Sequence, residues 1–165
     1  TLNIDNPKLN CRLEGFNQFS PKRIILDRNL EINLKSYIAK SIKNENTIIF
    51  HNSNDKSKIK LLKKRGTILI KQSTDKYKNL DLKKILKDLY KMEIRNLLVE
   101  GGDILTKDFL QKKLFNEFYM FRSSKNLSKN KKHVNFTSFS ILNTKYNKHK
   151  INSKLATDKL TIYKN

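Results

Sequence analysis

Four short apolar runs recur along the chain: Arg23-Ile24-Ile25-Leu26-Asp27, Thr47-Ile48-Ile49-Phe50, Thr67-Ile68-Leu69-Ile70 and Asn96-Leu97-Leu98-Val99. Each is continuous rather than alternating, the pattern of a strand buried on both faces in a mostly parallel sheet. Parallel strands need crossover connections, and helical patterns lie between the runs. Residues 35 to 43 suit a short helix. Ser57 to Lys64 carries Ile59, Leu61 and Leu62 and closes at Gly66, a natural helix C-cap. The clearest helix places Leu82, Ile85, Leu86 and Leu89 on one face and Lys83, Lys84, Lys87 and Asp88 on the other, with Asn79 or Asp81 to cap its start.

After the fourth run come the turn Glu100-Gly101-Gly102 and a helix from about Asp103 to Leu114, with Leu105, Phe109, Leu110 and Leu114 inward. Glu117 to Phe121 reads as a further strand. Ile151 to Leu155 and Leu160 to Tyr163 are strand-like and flank the turn candidate Thr157-Asp158, which suits antiparallel pairing. The opening stretch Thr1 to Ser20 reads as a surface loop with a short strand near Asn10 to Leu13. The expectation is an α/β domain with a mixed sheet flanked by helices and a C-terminal antiparallel hairpin.

A chain of 165 residues supports one domain rather than two. It has no run near the roughly 18 apolar residues that span a bilayer and no signal-peptide pattern, so it is expected to be soluble and cytoplasmic, away from membranes. Cys11 is alone and the three histidines are scattered, so neither a disulfide nor a metal site is expected. The chain opens on Thr1, already in a loop of functional character, which reads as a piece of a longer protein.

Thirty-six Lys and Arg against 15 Asp and Glu give a net charge of +21. That balance suggests a polyanion, and a basic α/β module for RNA is the alternative reading. The lysines recur on nearly every element, however, without the aromatic interleaving of a nucleic-acid face. With abundant Asn and Ile, four Gly and two Pro, the composition fits a genome-wide drift toward AT-rich codons. The densest run, Lys125 to Lys132, reads as a solvated loop, with nonspecific phosphate binding at low salt as its expected consequence.

In open α/β sheets ligands collect beyond the carboxyl ends of the strands, where unpaired N–H groups of the next helix favour anions. Glu100-Gly101-Gly102 stands there: glycines permit close approach of a phosphate, and a carboxylate accepts from ligand hydroxyl or amide donors. Taken alone, Gly-Gly is equally a tight connection, and no full dinucleotide fingerprint or Walker motif is present. Asp5-Asn6-Pro7 is turn chemistry, while Arg12 can pair with a ligand phosphate or simply face water. His51, His133 and His149 lie in polar surroundings and are expected to be exposed. The zinc signature of nucleobase deaminases is missing from these residues.

Together, Thr1 to Arg12, Arg23 to Asp27, and Leu98 to Gly102 followed by Leu114-Phe115-Asn116-Glu117 resemble the C-terminal reductase domain of the bifunctional riboflavin-biosynthesis deaminase/reductases. The resemblance implies a dihydrofolate-reductase-like fold and NADPH-dependent reduction of 5-amino-6-(5-phosphoribosylamino)uracil to its ribityl form. It implies that Thr1, Asp5, Gly101, Gly102 and Asp103 contact the cofactor, and Leu9, Arg12 and Glu100 the substrate. A dihydrofolate-reductase-like enzyme acting on another pteridine or pyrimidine is a second enzymatic reading.

Two positions depart from the family pattern: Arg28 replaces a small hydroxyl residue, and Ser123 to Ser128 replaces a Pro-Lys-Leu-hydrophobic-Gly segment. Residues 1 to 165 are expected to be a partial reductase domain, lacking the family's opening strand and helix and its upstream deaminase domain. Weak activity in isolation and homo-oligomerisation of the full-length parent are the corresponding expectations.

Overall fold

The computed structural model describes residues 2–124, 136–151 and 157–165, which fall into two compact units, Thr1–Leu97 and Leu98–Asn165. The first unit holds a parallel sheet of β1 (Arg23–Leu26), β2 (Thr47–His51) and β3 (Ile68–Lys71), in that spatial order. Ile24 is level with Ile48 and Ile48 with Ile68, so the β-branched runs stack in register. As the middle strand, β2 is buried along its whole length. This matches the expectation from its unbroken apolar run.

The connections are helical. Within residues 35–43 only α2 (Tyr37–Lys40) forms, capped at its start by Ser36, whose hydroxyl accepts from the Ala39 N–H. It stops early because the Ser41 carbonyl accepts from Arg23 and Asn46. α3 (Lys56–Lys64) starts at Asp55, which accepts from the Lys58 N–H at 2.9 Å, and is followed by Gly66 at φ +85°. That left-handed conformation favours glycine. α4 (Leu82–Lys91) is capped by Asp81, and Leu82, Ile85 and Leu89 are its buried face. One apolar cluster joins Ile25, Leu30, Ile32, Ile38, Ile42, Ile49 and Leu62, with Leu2 and Leu9 packed against it. Burying each such side chain contributes about 1.5–3 kcal/mol.

The second unit opens with α5 (Asp103–Gln111), then β4 (Glu117–Arg122), α6 (Phe139–Lys145), β5 (Asn147–Ile151) and β6 (Lys159–Lys164). Its antiparallel sheet runs β4-β6-β5, with Tyr163 opposite both Phe118 and Lys148. Leu110, Leu142 and Tyr163 form its core, and Phe115, Phe118 and Met120 pack around them. The α/β class and the C-terminal antiparallel pairing are as expected, with the parallel and antiparallel strands in separate sheets among the described residues.

Three sequence expectations are corrected. Asn10 to Leu13 is not a strand, and the opening stretch instead carries a four-residue helix, α1 (Leu2–Asp5), and a 3-10 turn at Asn17–Phe19. Asn96 to Val99 has no regular secondary structure and joins no ladder among the described residues, and Leu98 is 81% exposed. An apolar run becomes a buried strand only where a backbone edge receives it. Finally, β5 lies earlier than the Ile151 to Leu155 segment, whose residues beyond Ile151 lie outside the described residues.

Candidate functional site

In a parallel sheet all carboxyl ends point one way, so Leu26, His51 and Lys71 close one end of the first unit's sheet. Asp27, just beyond β1, does not face an open site. Its two carboxylate oxygens accept from the N–H groups of Glu31 (2.8 Å) and Ile32 (2.7 Å) and lock the loop that leads into Leu30 and Ile32. His51 overturns its expected exposure: it is 3% exposed, because its strand is flanked on both sides. Burial pushes the imidazole pKa down, and Nδ1 has no hydrogen-bond partner among the described residues.

The N-terminal segment is anchored by two asparagines. Asn3 donates to the Glu31 carbonyl and accepts from the Asn33 N–H, and Asn6 accepts from the Tyr37 N–H at 2.8 Å. Asn6, at φ 43°, makes the turn within Asp5-Asn6-Pro7. Asp5 ends α1 with its carboxylate exposed. Leu9 turns at φ 49° and packs its side chain on the apolar cluster, while Arg12 is exposed. Thr1 lies outside the described residues. Arg28 is exposed and donates to the Lys78 carbonyl and to Asn29 Oδ1, which ties it to its own unit.

In the second unit Glu100 is exposed and Gly102 is the N-cap of α5, with φ −72° and ψ 175°. Neither Gly101 nor Gly102 has a positive φ, so the backbone does not need glycine for a left-handed turn. The requirement at Gly101 is space: a Cβ there would lie 2.8 Å from Leu105 Cδ2 and 3.2 Å from Leu105 Cβ. Glycine thus lets the segment pass close over the first turn of its own helix. The first α5 N–H to find an acceptor is that of Thr106, on the Gly102 carbonyl, which leaves those of Asp103, Ile104 and Leu105 without one among the described residues. Such a helix start attracts anions.

The Asp103 side chain is engaged within its own unit. Its carboxylate accepts from the N–H (3.0 Å) and hydroxyl of Thr137 and from the N–H (3.3 Å) and hydroxyl (3.0 Å) of Ser138. These bonds, the Thr137 hydroxyl first, hold its pKa below the usual carboxylate value. An anion at this helix start would meet backbone N–H groups, with the Asp103 side chain turned to α6. The sequence did not disclose the buried His51 or the Asp103 link, since both depend on register and contacts between distant positions. The dense run from Lys125 and His133 lie outside the described residues, and His149 is exposed.

A parallel strand-and-helix unit followed by an antiparallel sheet is the arrangement of dihydrofolate-reductase-like α/β proteins. The solved structures of Acinetobacter baumannii RibD match it with TM-scores of 0.73 and 0.72, at 21% identity, over 99% of this chain and 44% of theirs. The family model described as the RibD C-terminal domain matches residues 1–153, and the chain belongs to that family. Riboflavin biosynthesis protein RibD of Actinobacillus pleuropneumoniae is 31% identical over 125 residues, 76% of this chain and 32% of that protein. The Aquifex aeolicus protein of the same name is 33% identical over 125 residues, 76% of this chain and 33% of its own length. The chain thus spans about a third of the length of the curated relatives it matches. No helix among the described residues is long and apolar enough to cross a membrane.

Proposed function

We propose that this chain is a reductase module of riboflavin biosynthesis that uses NADPH to reduce 5-amino-6-(5-phosphoribosylamino)uracil to its ribityl form. The observation that carries this reading is the family match over residues 1–153, which takes in both the Asp5 to Arg12 segment and Glu100-Gly101-Gly102. The helix start after Gly102 supports it, because three N–H groups without acceptors among the described residues suit a cofactor phosphate.

When bound, NADPH supplies the hydride delivered to C1 of the ring-opened ribosyl group. The work of the protein is orientation and exclusion of water. In this reading the α5 backbone holds cofactor phosphate and Asp5 orients the cofactor. Arg12 holds the substrate phosphate as a bidentate donor, Leu9 bounds the substrate, and Glu100 accepts from its hydroxyl or amide donors. Thr1 belongs to the cofactor contacts of the family motif.

Titration of NADPH fluorescence against the protein in moderate salt tests the reading. Saturable binding is expected. No binding of NADPH, together with tight, salt-sensitive binding of RNA, would replace it with a polyanion-binding role. Turnover of other pteridines or pyrimidines, without the phosphoribosyl substrate, would move the assignment to a different reductase.

A further inference from the structure

The first residue of α5 is an acid that does not serve its own helix. Asp103 follows the N-cap Gly102, which makes no side-chain bond to the helix. A carboxylate in a first turn ordinarily offsets the positive end of its own helix dipole. Here both oxygens are taken up by the start of α6. One accepts from the N–H groups of Thr137 (3.0 Å) and Ser138 (3.3 Å) and from the Ser138 hydroxyl (3.0 Å), and the other from the Thr137 hydroxyl.

The two partners of Asp103 are held differently. Ser138 is fully buried as the N-cap of α6, and Leu142 of that helix shares the core with Leu110 of α5. The far ends of the two helices are joined as well, by a 2.5 Å bond from the Tyr146 hydroxyl to the Leu110 carbonyl. α6 is therefore a fixed brace beside α5. Thr137 precedes that brace and is exposed, and among the described residues its hydroxyl is the partner of the second Asp103 oxygen.

The position of that oxygen matters for an incoming anion. The N–H groups of Asp103, Ile104 and Leu105 have no acceptor among the described residues. A phosphate at the helix start and a carboxylate turned back toward it would compete for the same N–H groups and repel each other.

We propose that Thr137 is a positioning residue of the cofactor site: its hydroxyl holds the Asp103 carboxylate against α6 and keeps the α5 N–H groups open to a cofactor phosphate. This inference rests on the reading of the α5 start as the end that binds cofactor phosphate. Thr137 acts through the charge of Asp103 and not by contact with the cofactor. Loss of the hydroxyl frees one carboxylate oxygen to turn toward the helix start. Loss of the charge at position 103 makes the hydroxyl irrelevant to the phosphate.

The test is titration of NADPH fluorescence with the whole chain carrying Thr137→Val, Thr137→Ser, Asp103→Asn or the Asp103→Asn/Thr137→Val pair. It is run at two salt concentrations and well below each thermal midpoint. Thr137→Val keeps the side-chain shape and the backbone N–H, and is expected to weaken NADPH about twofold to fivefold, the effect of one charge at a helix terminus. The loss shrinks at high salt, as an exposed charge is screened. Thr137→Ser restores the hydroxyl and with it the affinity. In the Asp103→Asn background Thr137→Val brings no further loss, whereas a role confined to packing gives a loss that persists there and ignores salt. Thr144→Ala, at an exposed position of α6, leaves NADPH affinity unchanged and controls for the helix surface. Wild-type affinity in Thr137→Val, no rescue by Thr137→Ser, or an undiminished loss in the Asp103→Asn background would overturn the inference and leave the cofactor reading standing. Absence of saturable NADPH binding by the unsubstituted chain would remove that reading and the inference with it.

Discussion

Asp103 and Thr137 stand 34 positions apart, yet the Asp103 carboxylate accepts both the backbone N–H and the hydroxyl of Thr137. With Ser138 completing the set, an acid in the first turn of α5 caps the start of α6. The N–H of Ser138, the N-cap of α6, thereby finds its acceptor on another helix. Asp103→Asn is expected to lower the thermal midpoint at neutral pH. The folded pKa of Asp103 is depressed, so its contribution is present above the unfolded value and is lost as pH falls through the folded one. Wild type and variant therefore converge in acid, a convergence that thermal melts across the carboxylate range would reveal.

His51 predicts a second pH dependence with a different window. Burial lowers its folded pKa, so the unfolded chain binds the proton more readily, and stability falls as pH drops through about 6.5, the ordinary histidine value. His51→Leu should remove most of the slope between the folded pKa and that value. Urea unfolding at a series of pH values measures it, and an unchanged slope would place the titration elsewhere.

Arg23 joins the starts of β1 and β2 through Thr47 and holds Ser41 and Asn46 beside them. Arg23→Leu removes the charged donor shared by the Thr47 hydroxyl, the Ser41 hydroxyl and Asn46 Oδ1 and is expected to cost about 2–3 kcal/mol of stability. Denaturant unfolding reads this loss. Partial recovery in Arg23→Lys, which keeps the charge, would separate the contribution of charge from that of the planar donor array.

Gly101 is constrained by Leu105, so Gly101→Ala is expected to cost about 1–3 kcal/mol through overpacking. Adding Leu105→Ala opens the space, and the cost of the alanine at position 101 should fall in that background. Additive losses would contradict the contact. For the proposed binding roles, Gly101→Val should weaken NADPH, whereas Arg12→Ala should spare NADPH. Arg12→Ala should weaken the phosphorylated substrate by about 1.5–3 kcal/mol, roughly tenfold to a hundredfold. Parallel titrations of both ligands compare these effects.

What could be read from residue order was what local chemistry determines. The runs at Arg23 to Leu26, Thr47 to Phe50 and Thr67 to Ile70 are continuous because their sheet is parallel, and the four leucine and isoleucine positions of α4 are spaced to face inward. Caps at Asp81 and Gly66 were visible for the same reason. Leu97 to Val99 carries the same apolar signal without a ladder among the described residues, because pairing depends on a neighbouring edge that a run of residues does not encode. His51 looked polar and exposed one position beyond an apolar run, but the central place of β2 buries it. The hydrogen bonds of Arg23 reach Ser41, Asn46 and Thr47, and the Asp103 link joins helices across more than thirty positions; neither has a local signature.

The most direct measurement is transfer of deuterium from NADPH labelled at the nicotinamide hydride position to 5-amino-6-(5-phosphoribosylamino)uracil, read by mass spectrometry after prolonged incubation with this chain. The account predicts slow formation of the ribityl product carrying one deuterium at C1, with less product from Arg12→Ala and from Gly101→Val. Unreduced substrate after full incubation, or a ribityl product without the label, would contradict it.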